Sequence, residues 1–239
     1  LWGMGNRIAR LEAAPDGRLT AVATVDSVAS GLGFHVPSSA ALARVDGGPA
    51  YLVLAAAGSG SLTVFRLDGG GLVPVDHVID NLHTRFQTAT ALATVQAGGR
   101  TYVLAGGADD GISLFLMLPD GRLVHLAARA DSGATTLANV SALAAGIAGG
   151  RVHVVAASGA EAGITQFTLA LGPPGVTRSG PGVLAGTAGD DLLLAGPGSV
   201  RAEGGAGDDV LVALEGGGGA LTLRGGAGDD PYVIAEAGR

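Results

Sequence analysis

Three pairs of aspartates, each inside a glycine-rich phrase, carry the most specific chemistry in this chain. The phrases are GTAGDDLLL at Gly186–Leu194, GGAGDDVLV at Gly204–Val212 and GGAGDDPYV at Gly225–Val233. The second and third fit the nonapeptide G-G-x-G-x-D-x-U-x, with Asp209 and Asp230 at the sixth place and Leu211 and Tyr232 at the eighth. The first has Thr187 for the second glycine and keeps Asp191 and Leu193. Ca²⁺ is a hard cation that takes about six to eight oxygens from carboxylates and backbone carbonyls in a pliable shell. Gly186, Gly189, Gly204, Gly205, Gly207, Gly225, Gly226 and Gly228 let the backbone take positive φ and turn its carbonyls inward. Asp191, Asp209 and Asp230, with Asp190, Asp208 and Asp229 beside them, supply charge. The apolar eighth residue is expected to point from a short strand into the interior.

Spacing tests this reading. From Gly186 to Gly204 is 18 residues, two nonapeptides, or one turn of a roll with two strands per turn. The first two copies then stack on one edge, with an ion between Asp191 and Asp209. From Gly204 to Gly225 is 21 residues, and the three extra are expected to bulge at Gly216–Gly219 on the opposite edge. A second ion is expected between Asp209 and Asp230. The intervening segments Ala195–Glu203 and Ala213–Arg224 keep glycines but lack aspartate, so only one edge is metal-competent. A flexible glycine-rich tail would not repeat in phase.

These phrases resemble the RTX (haemolysin-type) calcium-binding repeat. The resemblance implies a parallel β-roll at 183–239 that folds on calcium, and export of the unfolded chain by a one-step bacterial secretion apparatus. It therefore implies an extracellular or surface-associated protein. No apolar signal-peptide core is seen near the N-terminus.

The elements ahead of the roll form a weaker repeat of about 50 residues. Copies beginning at Ser39, Thr88 and Val140 share the landmarks Leu42, Leu92 and Leu143; Tyr51, Tyr102 and His153; and Phe65, Phe115 and Phe167. Asp16–Ser27 matches Asp120–Ser132 and reads as half a copy. Each copy reads as four short strands rich in β-branched and aromatic residues. In the second copy they are broken at Gly98-Gly99, Asp109-Asp110-Gly111 and Pro119-Asp120-Gly121. Four strands in a unit of this length resemble β-propeller blades. The expected fold is all-β: propeller-type four-stranded repeats over 1–171, a Pro/Gly linker at 172–182, then the roll. A closed propeller needs about four blades or more. Further blades are thus expected upstream of Leu1, or else an open array or pairing between chains.

Composition bounds the partners. The net charge of −7, with every basic residue an Arg, gives no basic stripe for nucleic acid. No apolar run approaches the roughly 20 residues of a membrane span. There is no cysteine for a disulfide or thiolate site. The polar loop Asp80–Arg85 interrupts the repeat and offers Asp80, His83 and Arg85 either as a site or as a solvated network. Gly106–Gly111 reads as a hairpin turn. His35, His77, His125 and His153 lack metal-ligand spacing, with His125 and His153 expected on a polar strand face. No G-x-S-x-G, H-E-x-x-H or phosphate loop is present. The expectation is therefore a non-enzymatic, secreted calcium-binding module whose front domain takes a protein or glycan ligand or self-associates. The alternatives are a propeller-type hydrolase or lactonase that carries the repeats as an export and folding aid, and an adhesin or surface-layer component.

Overall fold

The structure, a computed structural model, describes residues 5–216 and 220–234. It is nearly all-β, and the chain divides into two compact units, Leu1–Leu169 and Ala170–Arg239.

The front unit begins with the antiparallel hairpin β1 (Arg7–Ala13) and β2 (Leu19–Asp26), followed by the single-turn helix α1 (Ser27–Ser30). Two four-stranded antiparallel sheets follow. The first holds β3 (Pro37–Arg44), β4 (Ala50–Ala56), β5 (Ser61–Asp68) and β6 (Gly71–Ile79) in sequence order. The second holds β7 (Ala91–Ala97), β8 (Arg100–Gly106), β9 (Gly111–Met117) and β10 (Leu123–Ala130). A third sheet has three strands among the described residues: β11 (Val140–Ala148), β12 (Arg151–Ser158) and β13 (Ile164–Leu169).

The repeat read in sequence is a repeat in register. Phe65 lies opposite Leu52, Phe115 opposite Val103, and Phe167 opposite Val154. The half copy is likewise the last hairpin of a blade, because β1–β2 corresponds to β9–β10. In all three outer hairpins the pairing slips by a residue, as a β-bulge does, and this sharpens the local twist. Pro74, which has no N–H to give, sits on the outermost strand, where only one neighbour must be satisfied.

The first strands β3, β7 and β11 run side by side, as blades do around a common axis. Between the sheets lies a core of Tyr51, Val53, Leu62, Val64, Phe86, Leu92, Val103 and Phe115. The Phe86 and Phe115 rings meet edge-on at 5.8 Å. Hydroxyls tie neighbouring sheets together: Thr94 donates to the Leu42 carbonyl at 2.7 Å, Thr101 to Arg44 at 2.6 Å, and Thr90 to Val140 at 2.6 Å.

The second unit is a parallel solenoid of about three turns with two faces. One face stacks β14 (Pro174–Ser179), β16 (Asp190–Ala195), β18 (Val210–Ala213) and β20 (Tyr232–Ile234). The other stacks β15 (Gly182–Ala185), β17 (Ser199–Ala206) and β19 (Thr222–Ala227). The linker expected at 172–182 is thus corrected, since Pro174–Ser179 is the first strand of the roll, paired in parallel with β16. Proline is tolerated there because β14 is an end strand, and the Pro173 carbonyl still accepts the Asp190 N–H at 2.8 Å. Leu184, Leu193, Ala195, Ala202 and Leu211 fill the interior. Gly216 closes a turn after β18, and residues 217–219 of the expected bulge lie outside the described residues. No helix among the described residues is long and apolar enough to cross a membrane.

Candidate functional site

Alternation along the strand places the sixth-position aspartates inside the roll. Asp191 shares its face of β16 with Leu193 and Ala195, and Asp209 stands just ahead of β18, two residues before the buried Leu211. Both carboxylates are wholly buried, at 0% exposure. They form a ladder up the stack. The Val176 N–H donates to Asp191 Oδ1 at 2.6 Å, the Asp191 N–H to Asp209 Oδ1 at 2.8 Å, and the Asp209 N–H to Asp230 Oδ1 at 3.0 Å. The fifth-position aspartates form a second, exposed ladder. The Asp208 N–H donates to Asp190 Oδ1 and the Asp229 N–H to Asp208 Oδ1, both at 2.9 Å.

The two buried carboxylates differ in their second oxygen. Asp191 Oδ2 accepts the Thr187 N–H at 2.6 Å, and the Thr187 hydroxyl donates to Oδ1 at 3.1 Å. Asp209 Oδ2 is buried with no hydrogen-bond partner. An unpaired buried polar atom costs about 1–3 kcal/mol. Burial first, and then the Asp191, Asp230 and Asp190 charges, push the Asp209 carboxyl up to about 6, against the lowering effect of the Asp191 N–H.

Glycine is required around this oxygen. A Cβ at Gly204 would collide with Asp209 Oδ2 and with the Gly225 carbonyl oxygen. The same holds one copy earlier, where Gly186 faces Asp191 Oδ2 and the Gly204 carbonyl, while Gly225 faces Asp230 Oδ2. A Cβ at Gly205 or Gly226 would likewise meet the Thr187 or Gly205 carbonyl, and one at Gly207 or Gly228 the Gly189 or Gly207 carbonyl. A carboxylate oxygen without a donor, beside Gly204 and the Gly225 carbonyl, fits a hard cation's donor set. Among the described residues no three His, Cys, Asp or Glu side chains converge on one point. Backbone carbonyls would therefore have to supply much of the shell.

At the eighth place Leu193 and Leu211 are buried as expected, whereas Tyr232 is half exposed. Its hydroxyl accepts the Gly225 N–H at 2.7 Å instead. A phenol that can reach a backbone donor keeps its polar end outside an apolar core.

The front unit gathers polar loops at one end of its sheets. Asp80–Arg85 does not interrupt the repeat, as the sequence suggests, but belongs to it. Asp80 Oδ1 accepts the Thr84 hydroxyl at 2.7 Å and the Phe86 N–H at 3.1 Å. Asp131 Oδ1 does the same with Thr135 at 2.7 Å and Leu137 at 2.9 Å. Asp26 caps α1 through the Val28 and Ala29 N–H groups at 3.0 Å. The pattern Asp-x-x-x-Ser/Thr-x-Leu/Phe, visible at Asp26, Asp80 and Asp131, is the signal that alignment on apolar landmarks misses.

A second clamp recurs with changing chemistry. The His35 N–H donates to Ser59 Oγ, the Gln87 N–H to Asp109 Oδ1, and the Ala138 N–H to Glu161 Oε2. Burial, and then the Asp80 charge, raise the Asp109 carboxyl to about 6. Gly106–Gly111 is the tight β8–β9 connection that carries Asp109. His125, expected on a polar face, packs its ring 5.3 Å from Phe115, leaving Nε2 buried and unpartnered.

No family profile matches the chain, and no curated protein matches it. Among solved structures, it is similar to a candidate 6-phosphogluconolactonase from Bacteroides uniformis, at 19% identity with a TM-score of 0.47, over 69% of this chain and 44% of that one. It is also similar to an exo-β-1,3-galactanase from Phanerochaete chrysosporium, at 15% identity with a TM-score of 0.40, over 60% and 33%. A third is an engineered GH43 glycoside hydrolase, at 17% identity with a TM-score of 0.40, over 67% and 30%. The chain spans less than half the length of each of these proteins. The expectation of a non-enzymatic chain stands against these comparisons, whose proteins are described as a candidate lactonase and glycoside hydrolases.

Proposed function

We propose that the roll of Ala170–Arg239 binds calcium in a protein exported to the cell exterior, and that the ion completes its folding. The observation that carries this is Asp209 Oδ2, buried, without a donor and walled by glycines and the Gly225 carbonyl. Asp209 would hold the ion with Asp230 and backbone carbonyls of the glycine-rich turns, that of Gly225 among them. When bound, calcium supplies the positive charge that offsets this buried carboxylate. Without it, the paired aspartates of the three copies repel, and a Gly-rich chain buries little apolar area against its ordering entropy. The test is a calcium titration of the full chain after chelation, followed by far-UV circular dichroism with magnesium as control. A cooperative gain of β signal in calcium alone is expected. An identical response to both ions would defeat the reading.

For the front unit a second reading is supported, that of a propeller-type hydrolase of the lactonase or glycosidase class. Its support is the pair of four-stranded sheets with adjacent first strands, and Asp109 beside Asp80 in the loops at one end. A carboxyl that holds its proton until about pH 6 suits a general acid. Aryl glycosides and simple lactones are the substrates to assay, with Asp109→Asn as the diagnostic variant. Turnover that survives the substitution unchanged excludes Asp109 as the acid.

A further inference from the structure

The three copies are not equivalent, and the difference lies at one residue. The second position of the repeat is Thr187 in the first copy and Gly205 and Gly226 in the others. Gly205 and Gly226 have φ of +117° and +119°, which a β-branched side chain does not adopt without strain. Thr187 is absent from the positive-φ residues. Its N–H points at Asp191 Oδ2 at 2.6 Å, whereas Asp209 Oδ2 receives nothing from Gly205. The Thr187 hydroxyl adds a donor to Asp191 Oδ1 at 3.1 Å and itself accepts the Gly189 N–H at 3.2 Å. With the Val176 N–H, every oxygen of Asp191 is matched by a protein donor.

We propose that Thr187 takes the place of an ion at the first step of the roll. The first copy is then a metal-independent turn on which the rest stacks, and calcium enters only from the second copy onward. This inference rests on the calcium reading above and deepens it. Two features support it independently. The Val176 N–H, the Thr187 N–H and the Thr187 hydroxyl supply Asp191 with donors where a cation would require bare oxygens. One copy later, the same carboxylate oxygen is orphaned in a pocket of the same shape, with Gly204 and the Gly225 carbonyl taking the places of Gly186 and the Gly204 carbonyl.

The experiment measures calcium stoichiometry on the full chain by equilibrium dialysis and calorimetry, for wild type, Thr187→Gly and Thr187→Ser. Thr187→Gly frees the positive-φ conformation and removes the hydroxyl, so it is expected to bind one ion more than wild type. Thr187→Ser keeps both donors and is expected to bind the same number as wild type. In chelator, Thr187→Gly is expected to lower the melting temperature of the roll, and saturating calcium is expected to restore it. Equal, non-zero stoichiometry in wild type and Thr187→Gly overturns the inference and leaves the calcium reading standing. No binding in any of the three sinks both.

Discussion

Replacing Asp209 by Asn gives a stability change whose sign depends on calcium. The Asn carboxamide keeps an oxygen for the Asp191 N–H and places an NH₂ where the unpartnered Oδ2 stands, on the face of Gly204 that the Gly225 carbonyl also crowds. The substitution removes a buried charge whose carboxyl is raised from 3.8 to about 6. At about 1.4 kcal/mol per pKa unit that is at most about 3 kcal/mol, and the cost of one unpaired buried polar atom sets a floor near 1 kcal/mol. In chelator Asp209→Asn should therefore stabilise the roll by about 1–3 kcal/mol. For a unit of this size each kcal/mol shifts the midpoint by about 4–8 °C. In saturating calcium the variant should be less stable than wild type, because it has lost the charged oxygen that the ion uses. Thermal melts of the full chain, followed by circular dichroism in both buffers, read this directly. A variant that is destabilised in chelator as well would show that Asp209 is a satisfied structural acceptor, and the ion-site reasoning would fail.

Three further outcomes follow from the same structure. Because the folded Asp209 and Asp109 carboxyls lie near 6, above their unfolded value, the native state binds extra protons between about pH 4 and 6. The stability that these two carboxyls contribute without calcium should thus be full below that window and be lost as pH rises through 6, with Asp209→Asn flattening the roll's share of the slope in denaturant titrations. Gly204→Ala forces a Cβ onto Asp209 Oδ2 and the Gly225 carbonyl, so it should abolish the calcium response in circular dichroism, while Gly133→Ala, with no atom within 4 Å, should not. Asp131→Ala deprives Thr135 and Leu137 of their acceptor and should cost the front unit about 1–3 kcal/mol in chemical denaturation, with no change in calcium binding.

The strands, the four-strand grouping and the stacked edge were legible in the sequence because each rests on a local period: alternation along a strand, about 50 residues per blade, and 18 per turn of roll. What escaped depends on contacts that periodicity does not encode. Pro174 reads as a breaker, yet an end strand needs hydrogen bonds on one side only, so Pro174–Ser179 joins the roll. Tyr232 occupies an apolar position of the motif but turns outward, because its hydroxyl finds the Gly225 N–H. Asp80 in isolation reads as part of a solvated loop or of a site. The spacing it shares with Asp131 is present in the sequence, but its meaning shows when the side chains are seen closing the same loop. Thr187 was visible as the one departure from the nonapeptide, but its meaning needed the backbone conformation that Gly205 adopts and a threonine avoids.

The most direct test of the calcium account is a crystal structure of the full chain grown in calcium, with anomalous scattering used to locate the ion. The account predicts a peak between the second and third copies, bonded to Asp209 Oδ2. Well-ordered copies with no anomalous density beside Asp209 in saturating calcium would contradict it.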